Sequence, residues 1–223
     1  MLSNISTGQL CGFLFLFILL TSALSQALAG GALDPADIPG TMSRVTESGK
    51  KFRLSVVIDL ISHVSIVALA AMLFITFSPF NRSLALLGTL WRLAEGSILA
   101  LNEVNNLVLL DVSQKSASAT GNQSVVLESI GRMLISIEGW GLKIGLVFLA
   151  AGSSVYAILF VTSGALPLAL GWFGVIASIL AAGGILLNLI NPNLSMASFL
   201  ILIPYEIVLG FWLLIWGGQI GQP

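Results

Sequence analysis

The sequence predicts an all-α polytopic membrane protein: a single transmembrane domain, residues 1–223, built as a bundle of about six helices. Its 223 residues are 57% hydrophobic and 9% charged, whereas an ordinary soluble domain is about 25% charged. The mean hydropathy is +1.01. Apolar runs long enough to cross a bilayer as helices recur along the chain, whereas the strands of a transmembrane barrel would alternate weakly over about 10 residues.

The first three spans are placed by apolar runs and by the residues that end them. Residues 8–31 open with CGFLFLFILL and close with ALSQALAGGA, which is similar to a signal-peptidase site. The run is long for a signal peptide and lacks a basic start, so we expect a retained span. Residues 55–77 form the second span, which Pro79 ends. The third span covers residues 83–111.

The last three spans are separated by short turns. Residues 132–162 form the fourth span, which the segment TSGALP ends through Gly164 and Pro167. Residues 168–190 form the fifth span, closed by the Asn-Pro-Asn sequence that begins at Asn191. Residues 194–217 form the sixth. Helix ends read from sequence are accurate to a few residues.

Two longer segments, residues 32–54 and 112–131, together contain Pro, Gly, Ser and Asp residues that are typical of turns, and both are expected to be extramembrane loops on one face. Six basic residues lie on that face, compared with Arg82 alone on the other: Arg44, Lys50, Lys51, Arg53, Lys115 and Arg132. The positive-inside rule then places this face in the cytoplasm.

The few cysteine and histidine residues limit the chemistry of the chain. Cys11 is the single cysteine and His63 the single histidine, which excludes a disulfide framework, a multi-cysteine metal site and bis-histidine haem. We expect no metal and no cofactor. No basic patch is interleaved with aromatic residues, so nucleic acid is not an expected partner. The expected partners are membrane lipids, other membrane protein subunits or small molecules.

A set of polar and ionisable side chains lies within the predicted spans. A charged group at the centre of a membrane helix costs on the order of 2.5–3.5 kcal/mol on insertion scales, so these groups should point inward and pair. By their distance from the span ends they form a column from the basic face to the middle of the membrane. The candidate residues are Asp59, His63, Arg92, Glu95, Asn102, Glu103, Glu138, Lys143 and Glu206.

One contact within this set follows from spacing, and cross-helix contacts are expected beside it. Arg92 and Glu95 are three residues apart, which places them on one helical face and predicts an ion pair. Glu206 or Lys143 is the expected cross-helix contact of that pair. Lys143 lies within GLKIG, a small-xxx-small motif that favours close approach of a neighbouring helix backbone, and it could also reach Glu103.

Three interpretations of the polar set remain open at this point. The groups are structural ion pairs and interhelical hydrogen bonds that fix helix register, or they line a water-filled cavity or ligand pocket, or they snorkel toward the interface from helix ends. For His63, a hydrogen-bonded packing role is favoured over metal binding. No catalytic residue is assigned.

Several segments together resemble a known family. They are NRSLALLGTLWRLAEGSILALNEVNN, IEGWGLKIGLVFLAAGSSVYAILFVTSGALPLALGWFGVIASIL and IPYEIVLGFWLLIWGG. They are similar to the bacterial multi-pass family catalogued as domain of unknown function 4386. Arg92 with Glu95, Trp140, the SGALP turn, and Glu206 with LGFWLL match its pattern.

The resemblance implies the membrane fold and a bacterial cytoplasmic membrane, and it carries no activity with it. Members often have a histidine where this chain has Glu138. They also have basic residues in the turn before the fifth span, which would place that turn in the cytoplasm, opposite to the charge count above. The orientation therefore stays open.

Two functions of different kinds are compatible with these observations. The first is a non-enzymatic accessory or regulatory membrane subunit, because no nucleophile elbow, phosphate loop or zinc-binding H-E-x-x-H motif is present. The alternative is a carrier or binding protein for a small amphiphile, lipid or ion, with the polar column as its intramembrane pocket. An intramembrane enzyme is a third and weaker possibility, since no set of residues specifies a reaction.

Overall fold

The computed structural model describes residues 6–219 of the chain, and this part is helical with no strand. Six of its helices are long and apolar enough to cross a membrane, the last one counted together with the 3-10 turn before it. The all-α polytopic fold is confirmed. The helices are α1 (Thr7–Ala29), α2 (Ile38–Glu47), α3 (Gly49–Phe77), α4 (Arg82–Ser116), α5 (Asn122–Ser163), α6 (Leu168–Ile190) and α7 (Leu202–Trp216), with 3-10 turns at Ala197–Ile201 and Gly217–Gln219.

The described residues group into two compact units. The first unit consists of the chain up to Leu19, Val64–Gly96 and the chain from Lys143 onward. The second consists of Leu20–His63 and Ser97–Leu142. Helices α1, α3, α4 and α5 each contribute one segment to each unit, whereas α6 and α7 belong to the first and α2 to the second.

The core of the first unit is aromatic and aliphatic. Phe77 is fully buried, and its ring meets Phe160 edge-on with centroids 4.7 Å apart, a favourable geometry for aromatic pairs. Tyr156 packs on the same ring at 6.1 Å. These contacts join α3 to α5 beside the polar site of this unit.

Helices α1 and α7 meet through glycines in the first unit. A Cβ atom on Gly12 would overlap the backbone of Leu214 and lie 2.7 Å from the Gly210 carbonyl oxygen. A Cβ atom on Gly8 would overlap the Gly217 carbonyl. Small residues let membrane helices approach until their backbones touch, so this interface depends on the missing side chains.

The second unit contains a helix that the sequence analysis did not predict. Residues 32–54 were expected to be a loop, but α2 lies inside this segment. Asp37 caps it by accepting a hydrogen bond from the Gly40 N–H at 2.9 Å, and Met42 and Val45 are buried on its apolar face. The helix was missed because it has only ten residues and a largely polar sequence.

The expected loop at residues 112–131 is also mostly helical. Helix α4 continues to Ser116 and α5 begins at Asn122, so only a short turn remains, with Gly121 at a φ of 60°. The segment contains no proline, and its polar residues are compatible with helices that project beyond the apolar core. Similarly, α3 begins at Gly49 rather than near residue 55. The first and fifth predicted spans differ from α1 and α6 by at most two residues, whereas the sixth, expected at 194–217, consists of the 3-10 turn from Ala197 and α7.

Candidate functional site

The candidate polar residues are divided between the two units. Arg92, Glu95, Lys143 and Glu206 belong to the first unit. The second unit holds the remaining members, which are Asp59, His63, Asn102, Glu103 and Glu138.

Arg92 and Glu95 form the predicted ion pair on α4. The Arg92 Nη1 and Glu95 Oε2 atoms are 2.8 Å apart, and the two side chains are 4% and 3% exposed. The spacing of three residues brings them to one helical face. A charge-assisted hydrogen bond of this length compensates part of the cost of burying both charges.

A glycine on α5 leaves the space that the Arg92 side chain occupies. A Cβ atom at Gly152 would lie 2.9 Å from Cδ of Arg92, so the arginine stem fills the space left there. On α4, one turn before Arg92, Gly88 leaves similar space for the ring of Tyr156. The Tyr156 hydroxyl lies 2.7 Å from the Thr89 Oγ1 atom.

Glu206 on α7 lies beside this pair. It lines a cavity of about 10 Å³ together with Arg92, Ser153, Tyr156 and Tyr205. It is close enough to Arg92 for electrostatic attraction, yet its buried Oε1 atom has no hydrogen-bond partner within residues 6–219. A cavity of this size holds at most a single water molecule, which favours a structural role for this group over a ligand pocket.

Lys143 is half-buried on α5 and is not among the residues that line this cavity. Its expected contacts with Glu103 and with the Arg92–Glu95 pair stay predictions. The GLKIG motif around it acts differently from the expectation. A Cβ atom on Gly141 would overlap the Asn102 side-chain amide, so this glycine makes room for a polar side chain instead of a helix backbone.

The Asn102 amide ties α4 to α5 in the second unit. Its Nδ2 donates to the Glu138 carbonyl oxygen at 2.9 Å, and its Oδ1 accepts from Asn105 Nδ2 at 2.9 Å. These bonds fit the structural interpretation of the asparagines, since buried amides require partners.

Asp59, His63 and Glu103 come together in the same unit. One ligand-capable atom from each lies within 4.8 Å of those of the other two. Asp59 and His63 are four residues apart on α3, and Glu103 is on α4. From the sequence, a hydrogen-bonded packing role was favoured for His63 over metal binding. The four-residue spacing of Asp59 and His63 was visible in the sequence, but the third member, from another helix, was not.

A larger cavity lies elsewhere in the second unit, where the sequence predicted no site. It has a volume of about 970 Å³ and is open, a size typical of ligand pockets. It is lined by the end of α1 and the residue after it, Ala27 to Gly30, and by basic side chains. The basic lining residues are Arg44, Lys50, Lys51 and Arg53.

The basic residues of this cavity differ in how they are held. Arg44 is fixed by Asp37, with Nη1 and Oδ2 3.2 Å apart. Arg53 pairs with Asp111 at 3.4 Å across two exposed side chains, a kind of contact worth little in water. Lys50 and Lys51 are exposed at the start of α3, and neither takes part in an ion pair within the described range. One acidic residue, Glu47, lines the cavity with them.

Six long apolar helices with ionisable groups buried among them define an integral, polytopic membrane protein of the all-α class. The family model described as "Domain of unknown function (DUF4386)" matches residues 10–217, so this chain belongs to that family, as the sequence segments indicated. No curated protein and no solved structure matches the chain.

Proposed function

We propose that this chain is a membrane-embedded binding protein for an anionic amphiphile, a phospholipid with a negatively charged headgroup. The observation that carries the proposal is the 970 Å³ cavity, which is lined both by the apolar end of α1 and by the basic start of α3. Such a lining suits an amphiphile, because the tail of an amphiphile is apolar and its headgroup is charged.

The position of the cavity along the helices fits this ligand. The apolar run of α1 ends near Ala29, and that of α3 begins near Leu54. The cavity residues Lys50 and Lys51 therefore lie at the level where hydrocarbon gives way to water. Basic pockets at this level bind anionic headgroups, with about 1 kcal/mol for each lysine or arginine near the surface.

The charge of the lining supports an anion over a cation or a neutral ligand. Four basic residues and the single acidic Glu47 line the cavity. Neither lysine takes part in an ion pair within residues 6–219, which leaves both ammonium groups available to a headgroup. The proposed setting is the bacterial cytoplasmic membrane, with the basic face toward the cytoplasm.

The experiment measures lipid retention by the full chain in mild detergent. Native mass spectrometry would compare binding of phosphatidylglycerol and phosphatidylcholine with identical acyl chains. We expect the anionic lipid to be retained selectively. The double variant Lys50→Gln/Lys51→Gln should lose about 2 kcal/mol of that binding, roughly 30-fold in affinity. Glycerol 3-phosphate in a third arm shows whether the phosphate group alone is sufficient.

The matched control is Lys115→Gln/Arg132→Gln, which removes two charges from the same unit outside the cavity lining. Equal losses in both double variants would reduce the effect to unspecific surface attraction and contradict the proposal. So would a wild-type chain that retains both lipids equally. A stoichiometric protein that co-purifies in place of lipid would favour the accessory or regulatory subunit.

A further inference from the structure

A second site in the second unit is built from Asp59, His63 and Glu103. Two of the residues lie one turn apart on α3, and the third reaches them from α4. One oxygen or nitrogen atom of each lies within 4.8 Å of the others. A metal ion with bonds of about 2.0–2.2 Å holds its ligand atoms about 3–4 Å apart, so small side-chain rotations would close this set around one ion.

The second observation is the buried side chain of His63. It is 8% exposed, and its Nδ1 atom has no hydrogen-bond partner in the described chain. Buried polar atoms in proteins are nearly always partnered. A packing histidine would use this nitrogen for a hydrogen bond, whereas an imidazole positioned for a metal leaves a nitrogen directed at the ion.

Glu103 is held in place by a neighbour. Asn106 Nδ2 donates to Glu103 Oε2 at 3.0 Å, and the Asn106 Oδ1 atom is itself buried without a partner. Residues that hydrogen-bond a ligating carboxylate fix its orientation for the metal. This arrangement is independent of the histidine and supports the same site.

A bound cation would stabilise the acidic groups of this cluster. Glu138 is close enough to Asp59 and Glu103 to interact electrostatically, so three carboxyl groups share this region. Within residues 20–63 and 97–142, arginine forms ion pairs only with other acidic groups: Asp37, Asp111 and Glu128. Buried carboxylates without a cation are costly, and a divalent ion would offset that cost.

We propose that Asp59, His63 and Glu103 bind one divalent first-row transition metal ion. Calcium and magnesium select oxygen ligands alone, whereas imidazole together with carboxylates suits zinc, manganese, iron or cobalt. Three protein ligands leave a coordination position for water. This site is separate from the lipid cavity, whose lining contains none of the three residues.

The experiment uses the full chain, purified in detergent without a histidine tag and treated with chelator. Zn²⁺ content after equilibrium dialysis is measured by elemental analysis, and Co²⁺ binding is followed by its visible absorption. We expect one ion per chain. The shape-conserving variants Asp59→Asn and Glu103→Gln, and His63→Gln, should each weaken binding by at least tenfold. Asn106→Leu should weaken it by about 10–100-fold.

Glu206→Gln is the control, because it removes a carboxyl group of the first unit that is not part of the set. It should keep full stoichiometry. Size-exclusion profiles and circular dichroism identify variants that fail to fold. Wild-type chain that binds no Zn²⁺ or Co²⁺, or a folded His63→Gln variant that binds as tightly as wild type, would overturn the proposal.

Discussion

Gly152 on α5 lies directly against the side-chain stem of Arg92 on α4. A Cβ atom at position 152 would be 2.9 Å from Cδ and 3.0 Å from Cγ of the arginine. The buried arginine thus depends on a neighbour without a side chain. This relationship makes the ion pair of α4 sensitive to a single methyl group on α5.

Gly152→Ala is therefore expected to lower the melting temperature in detergent. The added methyl group displaces the Arg92 side chain, and overpacking of this kind lowers the free energy of unfolding by about 1–3 kcal/mol. Gly139→Ala on the same helix is the matched control, because a Cβ atom there meets nothing within 4 Å. Alanine is the better helix former, so this variant should be as stable as wild type or more so. Equal melting temperatures for both variants would contradict the packing described here.

The Arg92–Glu95 pair should show strong coupling in a double-mutant cycle. Arg92→Leu or Glu95→Leu alone leaves a buried charge without its partner, which costs about 3–5 kcal/mol. The double variant removes both charges and should lose less stability than either single variant. Thermal unfolding of the three variants in the same detergent tests this. Losses that simply add would show that the two side chains act independently.

Asp37 should make stability depend on pH at the acidic end of the range. The hydrogen bond from the Gly40 N–H, and next the Arg44 guanidinium, lower the pKa of Asp37 below its ordinary value of 3.8. A carboxyl group with a depressed folded pKa stabilises the fold above its unfolded pKa, and this contribution disappears as pH falls through the folded value. The difference in melting temperature between wild type and Asp37→Ala should therefore be largest above pH 4 and shrink below it.

Asp37→Asn separates the cap from the charge. Asparagine is also a good N-cap residue, so this variant should keep part of the stabilisation at all pH values. A gap between wild type and Asp37→Ala that stays constant down to pH 3 would argue against an ionised cap.

Residues 43 and 118 should be accessible from the same side of the membrane. Both are exposed serines outside the apolar runs, one on α2 and one in the turn after α4. In a Cys11→Ala background, Ser43→Cys and Ser118→Cys should react alike with a membrane-impermeant maleimide, in intact and in permeabilised cells. Labelling of the two positions from opposite sides would contradict the six-span topology. Labelling only after permeabilisation would place this face in the cytoplasm.

The sequence was sufficient for features determined by local spacing. Apolar runs predicted the six spans because a bilayer demands them, and the distance from Arg92 to Glu95 predicted their ion pair. Helix α2 was missed although Asp37 and Pro39 are a recognisable start signal, because ten residues give a weak periodic pattern.

Features that depend on a partner from another helix could not be predicted. Asp59 and His63 share a helical face by spacing, but only the packing of α4 adds Glu103. The cavity lined by Lys50 and Lys51 depends likewise on how the end of α1 packs near the start of α3. Gly8 and Gly12 form a small-xxx-small spacing in the sequence, yet nothing in that spacing identifies Gly217 and Gly210 as their respective neighbours.

The contact of α1 with α7 has a consequence for biosynthesis. Gly12 and Gly210 are separated by about 200 residues of chain, and ribosomes add roughly 5–20 residues each second. The first helix therefore spends roughly 10–40 s in the membrane before its partner is made. During that interval its glycine face is turned to lipid or to the insertion machinery, and assembly of this unit is complete only after the last helix has left the ribosome.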